Sequence, residues 1–177
     1  GGAVFGICGG FQMLGKTLSD PLGAEQGGTL RGMGLLPVET TFAGQKTRTR
    51  VFGAFHTLSG AFSVLSGLPF EGYEIHMGVT ESDAPVVSIT DEVTGTQKTD
   101  GAISENVCGS YVHGILDGDA VAGAIVRMLA EKKGVDPTLL GRVSGEAHKQ
   151  QQYDLLAETI RNHMDMNAVY RILREGV

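Results

Sequence analysis

The chain has 177 residues, of which 41% are hydrophobic and 19% charged, so it can bury one sizeable core but is too short for two typical domains. Its 14 basic and 20 acidic residues give a formal net charge of -6 with no long block of either sign, which argues against a nucleic-acid partner. It has no apolar run near the roughly 20 residues that a membrane span needs, and its two cysteines are typical of a reducing compartment. We therefore expect one cytoplasmic domain over residues 1–177, without a membrane partner.

The first predicted element is a strand. Residues 3–7 form a short apolar run, which suits a parallel strand buried on both faces. Apolar residues then recur at helical spacing over residues 11–18, up to a Ser-Asp-Pro-Leu-Gly segment where proline and glycine end a helix. Because a buried strand needs neighbours on both sides, we expect the chain to be a fragment, truncated at its N-terminus, that lacks flanking strands.

The middle of the chain is predicted to be mostly β-structure. Short β-like runs, separated by glycine-containing turns, occupy residues 35–42, 48–55 and 73–79. Two adjacent strands are predicted at 101–105 and 107–112, joined at Asn106. The second of them ends at His113 and Gly114, so we expect His113 at a strand terminus.

Helical spacing dominates the last third of the chain. Residues 119–133 alternate apolar and polar positions, with Asp117 or Asp119 as the predicted N-cap. A longer apolar stripe runs over residues 144–174, and residues 162–167 can break it into two helices. We interpret this stretch as a packing helix.

A glycine-flanked cysteine lies between the first strand and the first helix. Residues 6–10, Gly-Ile-Cys-Gly-Gly, match the G-x-C-x-G pattern of a nucleophile elbow, in which small residues let strand and helix approach. The turn would place Cys8 at a helix N-terminus, which predicts a lowered thiol pKa and a thiolate near neutral pH. It would also aim the backbone N–H of Gly9 at the oxygen of a tetrahedral intermediate, as half of an oxyanion hole.

The two cysteines are interpreted differently. Cys8 could be a small buried hydrophobe, but such a residue needs neither flanking glycines nor a strand-to-helix switch, so a reactive nucleophile is favoured. Cys108 lies inside a predicted strand without an elbow pattern, and we expect it in the core. The cysteines and histidines show no close ligand pair at zinc spacing, and we expect no metal site.

A cysteine nucleophile needs a base for its proton and a donor for the leaving amine, and histidine usually supplies both. Three of the five histidines have ordinary settings, since His56 lies in an apolar, glycine-rich context and His148 and His163 lie on predicted helices. His76 and His113 are each at or near a strand. Only His113 combines a strand terminus with a following glycine, which modestly favours it as the general base.

Four segments of the chain resemble a known family. Residues 6–15 read GICGGFQMLG and resemble the elbow of the class I, cysteine-dependent glutamine amidotransferases. Three further segments resemble the cobyric acid synthase branch of that family: GYEIHMG at 72–78, YVHGILD at 111–117 and GLLPVET at 34–40. The motifs follow in order along essentially the whole chain, which makes the resemblance far more specific than any one of them.

The resemblance implies a flavodoxin-like α/β fold with a central mixed sheet flanked by helices. It implies the C-terminal, glutamine-hydrolysing domain of a two-domain enzyme of cobalamin biosynthesis. Its ammonia would pass to a synthetase domain that amidates corrin carboxylates with ATP and magnesium, converting adenosylcobyrinic acid a,c-diamide to adenosylcobyric acid, while this domain needs no cofactor. In that pattern Cys8 forms a glutamyl thioester, His113 moves protons, Gly9 supplies an oxyanion N–H and Gln12 contacts the bound glutamine.

Two departures from the wider family stand out. The glutamate that usually follows the catalytic histidine by two positions is replaced by Ile115, as in the cysteine–histidine dyad that the branch resembles. Glu74 is a candidate to orient His113, or else a surface or turn carboxylate, and His76 could serve in structure or in contacts with an acceptor domain. Relatives carry a loop before the elbow that supplies the second oxyanion donor, so we expect this chain alone to hydrolyse glutamine weakly or not at all.

Two alternative functions remain open from the sequence. One is the glutaminase part of cobyrinic acid a,c-diamide synthase or of a related amidotransferase, in which only the acceptor differs; residues 72–78 favour the cobyric acid synthase branch. The other is a non-catalytic module of the same fold that docks another protein. The presence of Cys8, His113 and Gln12 argues against it.

Overall fold

The computed structural model describes residues 2–139 and 144–176. They fall into two compact units, one within residues 1–140 and the other within residues 141–177. All strands of the described residues belong to the first unit, and the second unit is helical. The single domain expected over residues 1–177 stays a prediction.

The first unit combines strands and helices. Its strands are β1 (Val4–Ile7), β2 (Thr17–Asp20), β3 (Gly28–Arg31), β4 (Glu39–Phe55), β5 (Pro69–Thr80), β6 (Val87–Asp91), β7 (Gln97–Asp100), β8 (Ala102–Ser104) and β9 (Val107–Ser110). Its α-helices are α1 (Gly9–Leu14) and α2 (Asp119–Lys132), and short 3-10 helices span Gly60–Leu65 and Pro137–Leu139. The predicted α/β class is confirmed.

The smaller of two sheets has the strand order β1-β9-β8. β1 runs parallel to β9, with Ile7 opposite Ser110, and β9 runs antiparallel to β8. These pairings confirm the predicted strands at 3–7 and 101–105 and the start of the one at 107–112. The last strand ends at Ser110, so the expectation of His113 at a strand terminus is wrong by three positions. The expected burial of β1 on both faces is wrong, because Val4 is 39% exposed and β1 pairs only with β9 among the described strands.

The larger sheet has the strand order β3-β2-β4-β6-β7, with β5 paired antiparallel to β4. β2 and β4 are parallel and the remaining pairs are antiparallel, so both sheets are mixed. The β-rich middle is confirmed, but the run at 48–55 and part of the run at 35–42 belong to one long strand, β4. β2, β3, β6 and β7 were not among the predicted runs.

The predicted helix over residues 11–18 is wrong in its second half. α1 ends at Leu14, Gly15 has an extended backbone with φ -68° and ψ -176°, and the chain continues as β2. β2 pairs with β3 on one side and β4 on the other. This strand pairing outweighs the helical spacing of the apolar residues.

Helix α2 confirms the prediction for residues 119–133 and ends one residue earlier. Its N-cap is Gly118, with an extended backbone, instead of Asp117 or Asp119. The helix packs against the 3-10 helix Gly60–Leu65. Val121 on this helix is fully buried, which ties α2 to the core of the unit.

The second unit consists of α3 (Gly145–His163) and α4 (Met166–Glu175). The expected break within residues 162–167 is confirmed, since α3 ends at His163 and Asp165 caps α4 by accepting from the N–H of Ala168 at 3.0 Å. Neither helix buries a side chain among the described residues, so the packing role stays a prediction. No described helix combines the length and apolarity needed to cross a membrane.

The first unit has two hydrophobic clusters. The larger cluster joins residues of the larger sheet to α2 and to the chain around β9, and its fully buried members are Leu65, Val86, Val87, Cys108, Val112, Ile115 and Val121. The smaller cluster surrounds α1 and consists of Phe11, Leu14, Leu36, Val38, Ala102, Val107 and Tyr111. Cys8 packs against the smaller cluster, so the predicted elbow rests on a formed core.

Candidate active site

Cys8 occupies a sharp turn between β1 and α1. Its backbone has φ 51° and ψ -113°, a conformation that residues with a side chain adopt only under strain. The N–H of Cys8 donates to the carbonyl of Ser110 at 2.9 Å, and the N–H of Gln12 donates to the carbonyl of Cys8 at 3.0 Å. The turn is thus held on its strand side and on its helix side, as a nucleophile elbow requires.

The two outer glycines of the elbow pattern have different roles. A Cβ added at Gly6 would lie 2.6 Å from Cδ1 of Leu14 and 2.8 Å from the backbone nitrogen of Phe11, so glycine is needed for β1 and α1 to pack this closely. A Cβ added at Gly10 would meet no described atom within 4 Å. The expected need for a small residue is confirmed at Gly6, whereas no described atom imposes it at Gly10.

The Cys8 side chain is partly buried, and its surroundings favour the thiol over the thiolate. Burial raises the pKa of the Cys8 thiol above its ordinary 9.0, the backbone N–H of Gly9 acts in the opposite direction, and the negative charge of Asp100 adds to the rise. The expected lowering of this pKa is therefore wrong, because desolvation outweighs the N–H at the start of a six-residue helix. The sulfur lies 3.7 Å from the carbonyl oxygen of Ile75, to which the thiol donates.

His113 is held by Tyr73 of β5. The two residues exchange backbone hydrogen bonds, with the N–H of His113 2.8 Å from the carbonyl oxygen of Tyr73 and the reverse pair 3.0 Å apart. Their rings stack with centroids 5.1 Å apart and an interplanar angle of 5°. A Cβ at Gly72 would collide with the carbonyl oxygen of His113, so this glycine permits the close approach of β5. The imidazole has no hydrogen-bond partner within residues 2–139 and 144–176.

Cys8 and His113 both lie at the edge of the smaller sheet where the carboxyl ends of β1 and β9 meet. The carboxyl ends of the parallel strands β1 and β9 point in one direction; Cys8 directly follows β1 and His113 follows β9 by three positions. Both residues also contact one short segment of β5, Cys8 through Ile75 and His113 through Tyr73. Two such positions on a strand are about 7 Å apart. The fold therefore gathers the predicted nucleophile and base around residues 73–75.

Gln12 and Gly9 lie beside this turn on α1. Gln12 is only 7% exposed, and its Nε2 donates to the Tyr111 hydroxyl at 3.4 Å. No described residue donates to Oε1 of Gln12, which leaves this acceptor open to a ligand. Gly9 is exposed, and its N–H acts on the sulfur of Cys8, as the lowering contribution to that pKa shows. Gly9 is thus placed at the thiol, and Gln12 lies one helical turn further along α1, with its N–H on the Cys8 carbonyl.

Glu74 has an environment that the sequence did not indicate. Its side chain is 1% exposed, and its Oε1 accepts from Nζ of Lys98 at 2.9 Å and lies 3.1 Å from Nε2 of His76. Burial alone would raise the pKa of Glu74, but the hydrogen bonds and charges of His76 and Lys98 outweigh it and lower the pKa. The interpretation as a surface or turn carboxylate is wrong. As a candidate to orient His113, Glu74 is not supported either, because its side-chain partners among the described residues are His76 and Lys98.

Comparison with known proteins identifies the family. Residues 1–121 match the CobB/CobQ-like glutamine amidotransferase domain. The chain belongs to this family. A solved glutamine amidotransferase from Thermotoga maritima superposes with a TM-score of 0.39 at 17% identity, covering 84% of this chain and 56% of that chain.

Curated relatives of this CobB/CobQ-like domain carry the name cobyric acid synthase. The protein of Ruminiclostridium cellulolyticum is 44% identical over 98% of this chain and 35% of its own length. The protein of Lachnoclostridium phytofermentans is 39% identical over 98% of this chain and 36% of its own length. The protein of Salmonella agona is 41% identical over 97% of this chain and 34% of its own length. The chain therefore spans about a third of the length of the curated relatives it matches.

The other residues that the sequence singled out in this amidotransferase domain serve packing or local hydrogen bonding. Cys108 is fully buried, as predicted, and burial raises its pKa to about 12. Ile115 is fully buried in the larger hydrophobic cluster. The two ring nitrogens of His56 lie 3.0 Å from the carbonyl oxygen of Pro85 and 2.7 Å from the hydroxyl of Ser88. Within the described residues, no group of three or more His, Cys, Asp or Glu could hold a metal ion.

Three residues around the site were missed by sequence reasoning: Tyr73, Lys98 and Tyr111. Tyr73 and Tyr111 stand inside the quoted motifs, and a strand period of two would have put Glu74 on the same buried face as Phe70. Lys98 carried no such signal, because its approach to Glu74 depends on how β7 is placed in the sheet.

Proposed function

We propose that this domain hydrolyses glutamine as part of the full-length protein, with Cys8 as the nucleophile and His113 as the general base. Membership of the CobB/CobQ-like family supports the glutamine amidotransferase role. The observation that carries the proposal is the strained turn at Cys8, next to the edge at which His113 lies. A partly buried cysteine in a strained turn, close to a histidine whose ring nitrogens have no hydrogen-bond partner among the described residues, is arranged for reaction and not for packing.

In the first step Cys8 attacks the side-chain carbonyl carbon of glutamine. A C–S bond forms, and the carbonyl electron pair moves to the oxygen, where the N–H of Gly9 stabilises it by about 3 kcal/mol. His113 takes the thiol proton, which the raised pKa keeps on sulfur until this point. It then gives this proton to the amide nitrogen as the C–N bond breaks, so that ammonia leaves and a glutamyl thioester remains.

In the second step water hydrolyses the thioester. His113 takes a proton from the attacking water and returns it to sulfur as the C–S bond breaks. Glutamate is released and the Cys8 thiol is restored. Glutamine and water thus give glutamate and ammonia, with Gln12 binding the substrate through its open Oε1.

The names of the relatives support a proposal for how the ammonia is used. Because the matched relatives are named cobyric acid synthase, we propose that the ammonia amidates corrin carboxylates, converting adenosylcobyrinic acid a,c-diamide to adenosylcobyric acid. The ATP and magnesium of that reaction belong in this proposal to a synthetase domain of the same polypeptide. Residues 1–177 supply only ammonia and bind no cofactor.

Covalent labelling tests the glutaminase proposal. Diazo-oxo-norleucine, a glutamine analogue, should modify Cys8 of the full-length protein, with the site read by mass spectrometry of peptides. Cys8→Ser should abolish both labelling and glutamate release, and Cys108→Ser is the matched control that should keep both. An unlabelled Cys8 in folded full-length protein would contradict the proposal and favour the non-catalytic docking module.

A separate assay tests the acceptor. Full-length protein is supplied with glutamine, ATP and magnesium, and either adenosylcobyrinic acid a,c-diamide or cobyrinic acid. We expect amidation of the first acceptor. Amidation of cobyrinic acid alone would instead assign the chain to cobyrinic acid a,c-diamide synthase while leaving the glutamine chemistry unchanged.

A further inference from the structure

A buried charged group lies behind the candidate glutamine site. Glu74 is 1% exposed, and a single oxygen, Oε1, contacts both Lys98 and His76. Its other oxygen, Oε2, is buried and has no hydrogen-bond partner among the described residues. Burying a charge with one unsatisfied oxygen costs free energy, so the arrangement calls for a function beyond stability.

The ring of His76 is fixed at both nitrogens. Nδ1 lies 2.7 Å from the carbonyl oxygen of Gly78 and Nε2 lies 3.1 Å from the Glu74 carboxylate. Both ring nitrogens therefore have a partner in the protein, which fixes the orientation of the His76 ring and leaves neither nitrogen open to the Cys8 thiol.

His76 in turn fixes Tyr111. The two rings stack with centroids 3.8 Å apart and an interplanar angle of 18°. The Tyr111 ring also packs edge-on against Phe11 at 5.3 Å, and its hydroxyl lies 2.7 Å from that of Thr80. The Tyr111 hydroxyl therefore has a defined position.

Tyr111 and Gly78 hold the Gln12 carboxamide between them. Nε2 of Gln12 donates to the Tyr111 hydroxyl. A Cβ at Gly78 would collide with Nε2 of Gln12 and lie 2.7 Å from that hydroxyl, so the amide fits only against glycine. With its nitrogen held, Gln12 presents its oxygen as the free acceptor.

We infer that Glu74, His76 and Tyr111 are positioning residues that orient the Gln12 carboxamide toward the glutamine substrate. This inference rests on the proposed function, because it gives Gln12 a ligand. The three residues act through one another and touch no substrate atom. Glu74 holds the His76 ring, the ring holds Tyr111, and Tyr111 holds Gln12.

The experiment measures inactivation of the full-length protein by diazo-oxo-norleucine over a range of concentrations. Tyr111→Phe and Glu74→Gln should each raise the half-saturating concentration about tenfold, the effect of one lost hydrogen bond. The rate of Cys8 alkylation by iodoacetamide, which needs no glutamine recognition, should stay within about twofold. A change in both reagents alike would indicate general disruption and overturn the inference.

A double variant tests whether the residues act in series. Combined Glu74→Gln and Tyr111→Phe should be no worse than Tyr111→Phe alone, whereas independent contributions would multiply to about a hundredfold. Glu71→Gln is the matched control, since Glu71 is exposed on the same strand and its replacement should leave both rates unchanged.

If Glu74→Gln does not fold, Tyr111→Phe alone tests the inference, and a half-saturating concentration equal to that of the wild type would overturn it. Failure of the proposed function would differ from these outcomes, because the wild-type protein would then show no saturable inactivation.

Discussion

Tyr73 and His113 are joined by two backbone hydrogen bonds, of 2.8 and 3.0 Å, and by stacked rings. The position two residues after His113 is the fully buried Ile115, which offers no carboxylate. An aromatic neighbour can orient an imidazole as a hydrogen-bonding side chain does, by removing the other ring positions. We therefore expect the stack with Tyr73 to orient the His113 ring.

Replacing Tyr73 should separate ring stacking from its hydroxyl. We expect Tyr73→Ala to lower kcat for glutamine hydrolysis about three- to tenfold, the worth of one aromatic pair, and Tyr73→Phe to retain it. Steady-state glutamate release by the full-length protein measures both. Val79→Ala, exposed on the same strand, is the control. Equal rates for Tyr73→Ala and wild type would show that the stack does not orient His113.

The raised pKa of Cys8 predicts how alkylation depends on pH. Without glutamine, the rate of reaction with iodoacetamide should keep rising through pH 9, because only the thiolate reacts and the folded pKa lies above 9.0. Cys108 should stay silent, since it is fully buried with a pKa of about 12. Rates measured by mass spectrometry that level off below pH 8 would contradict this expectation.

The elbow glycines offer a paired stability test on the 177-residue chain. Gly6→Ala should lower the free energy of unfolding by about 1–3 kcal/mol, because the added Cβ overlaps Leu14 and the backbone of Phe11. Gly10→Ala should raise it by up to about 1 kcal/mol, because Gly10 lies in α1 with open space around it. Denaturant unfolding measures both changes. Equal effects at the two positions would contradict the contrast.

Asp20 should make the free energy of unfolding depend on pH in the acid range. The backbone N–H of Glu25, foremost, and those of Gly27 and Ala24 lower the pKa of Asp20 despite its desolvation. A carboxylate with a lowered folded pKa stabilises the fold above its ordinary value of 3.8 and loses that contribution as pH falls further. Asp20→Asn should therefore be less stable than wild type at pH 7, with the difference shrinking below pH 3.8. A difference independent of pH in unfolding experiments would refute this account.

Local patterns carried much of the prediction. The strand before Cys8, the turn at Cys8 and the end of β9 near His113 were all predicted, because glycine spacing and short apolar runs are properties of neighbouring residues. The break between α3 and α4 was predicted for the same reason. The motif at 72–78 indicated that β5 contributes to the site, but it did not indicate which residues β5 contacts.

Long-range contacts explain what was missed. Thr17 and Leu18 were assigned to a helix because their partners in β3 and β4 cannot be read from spacing. The pKa of Cys8 was expected to fall because the helix start is local, whereas the burial that raises it comes from packing against distant residues. The burial of Glu74 and its partner Lys98 were not predicted, because Lys98 reaches it from another strand.

The pairing of β1 with β9 also has a kinetic consequence. Val4 lies opposite Val107, and the intervening chain includes the whole larger sheet. Closing a loop of about 100 residues is entropically costly, so such pairings form slowly and after local hairpins. We expect the turn at Cys8 to be completed last during folding, so that an intermediate with the larger sheet already built would still be chemically inert toward glutamine.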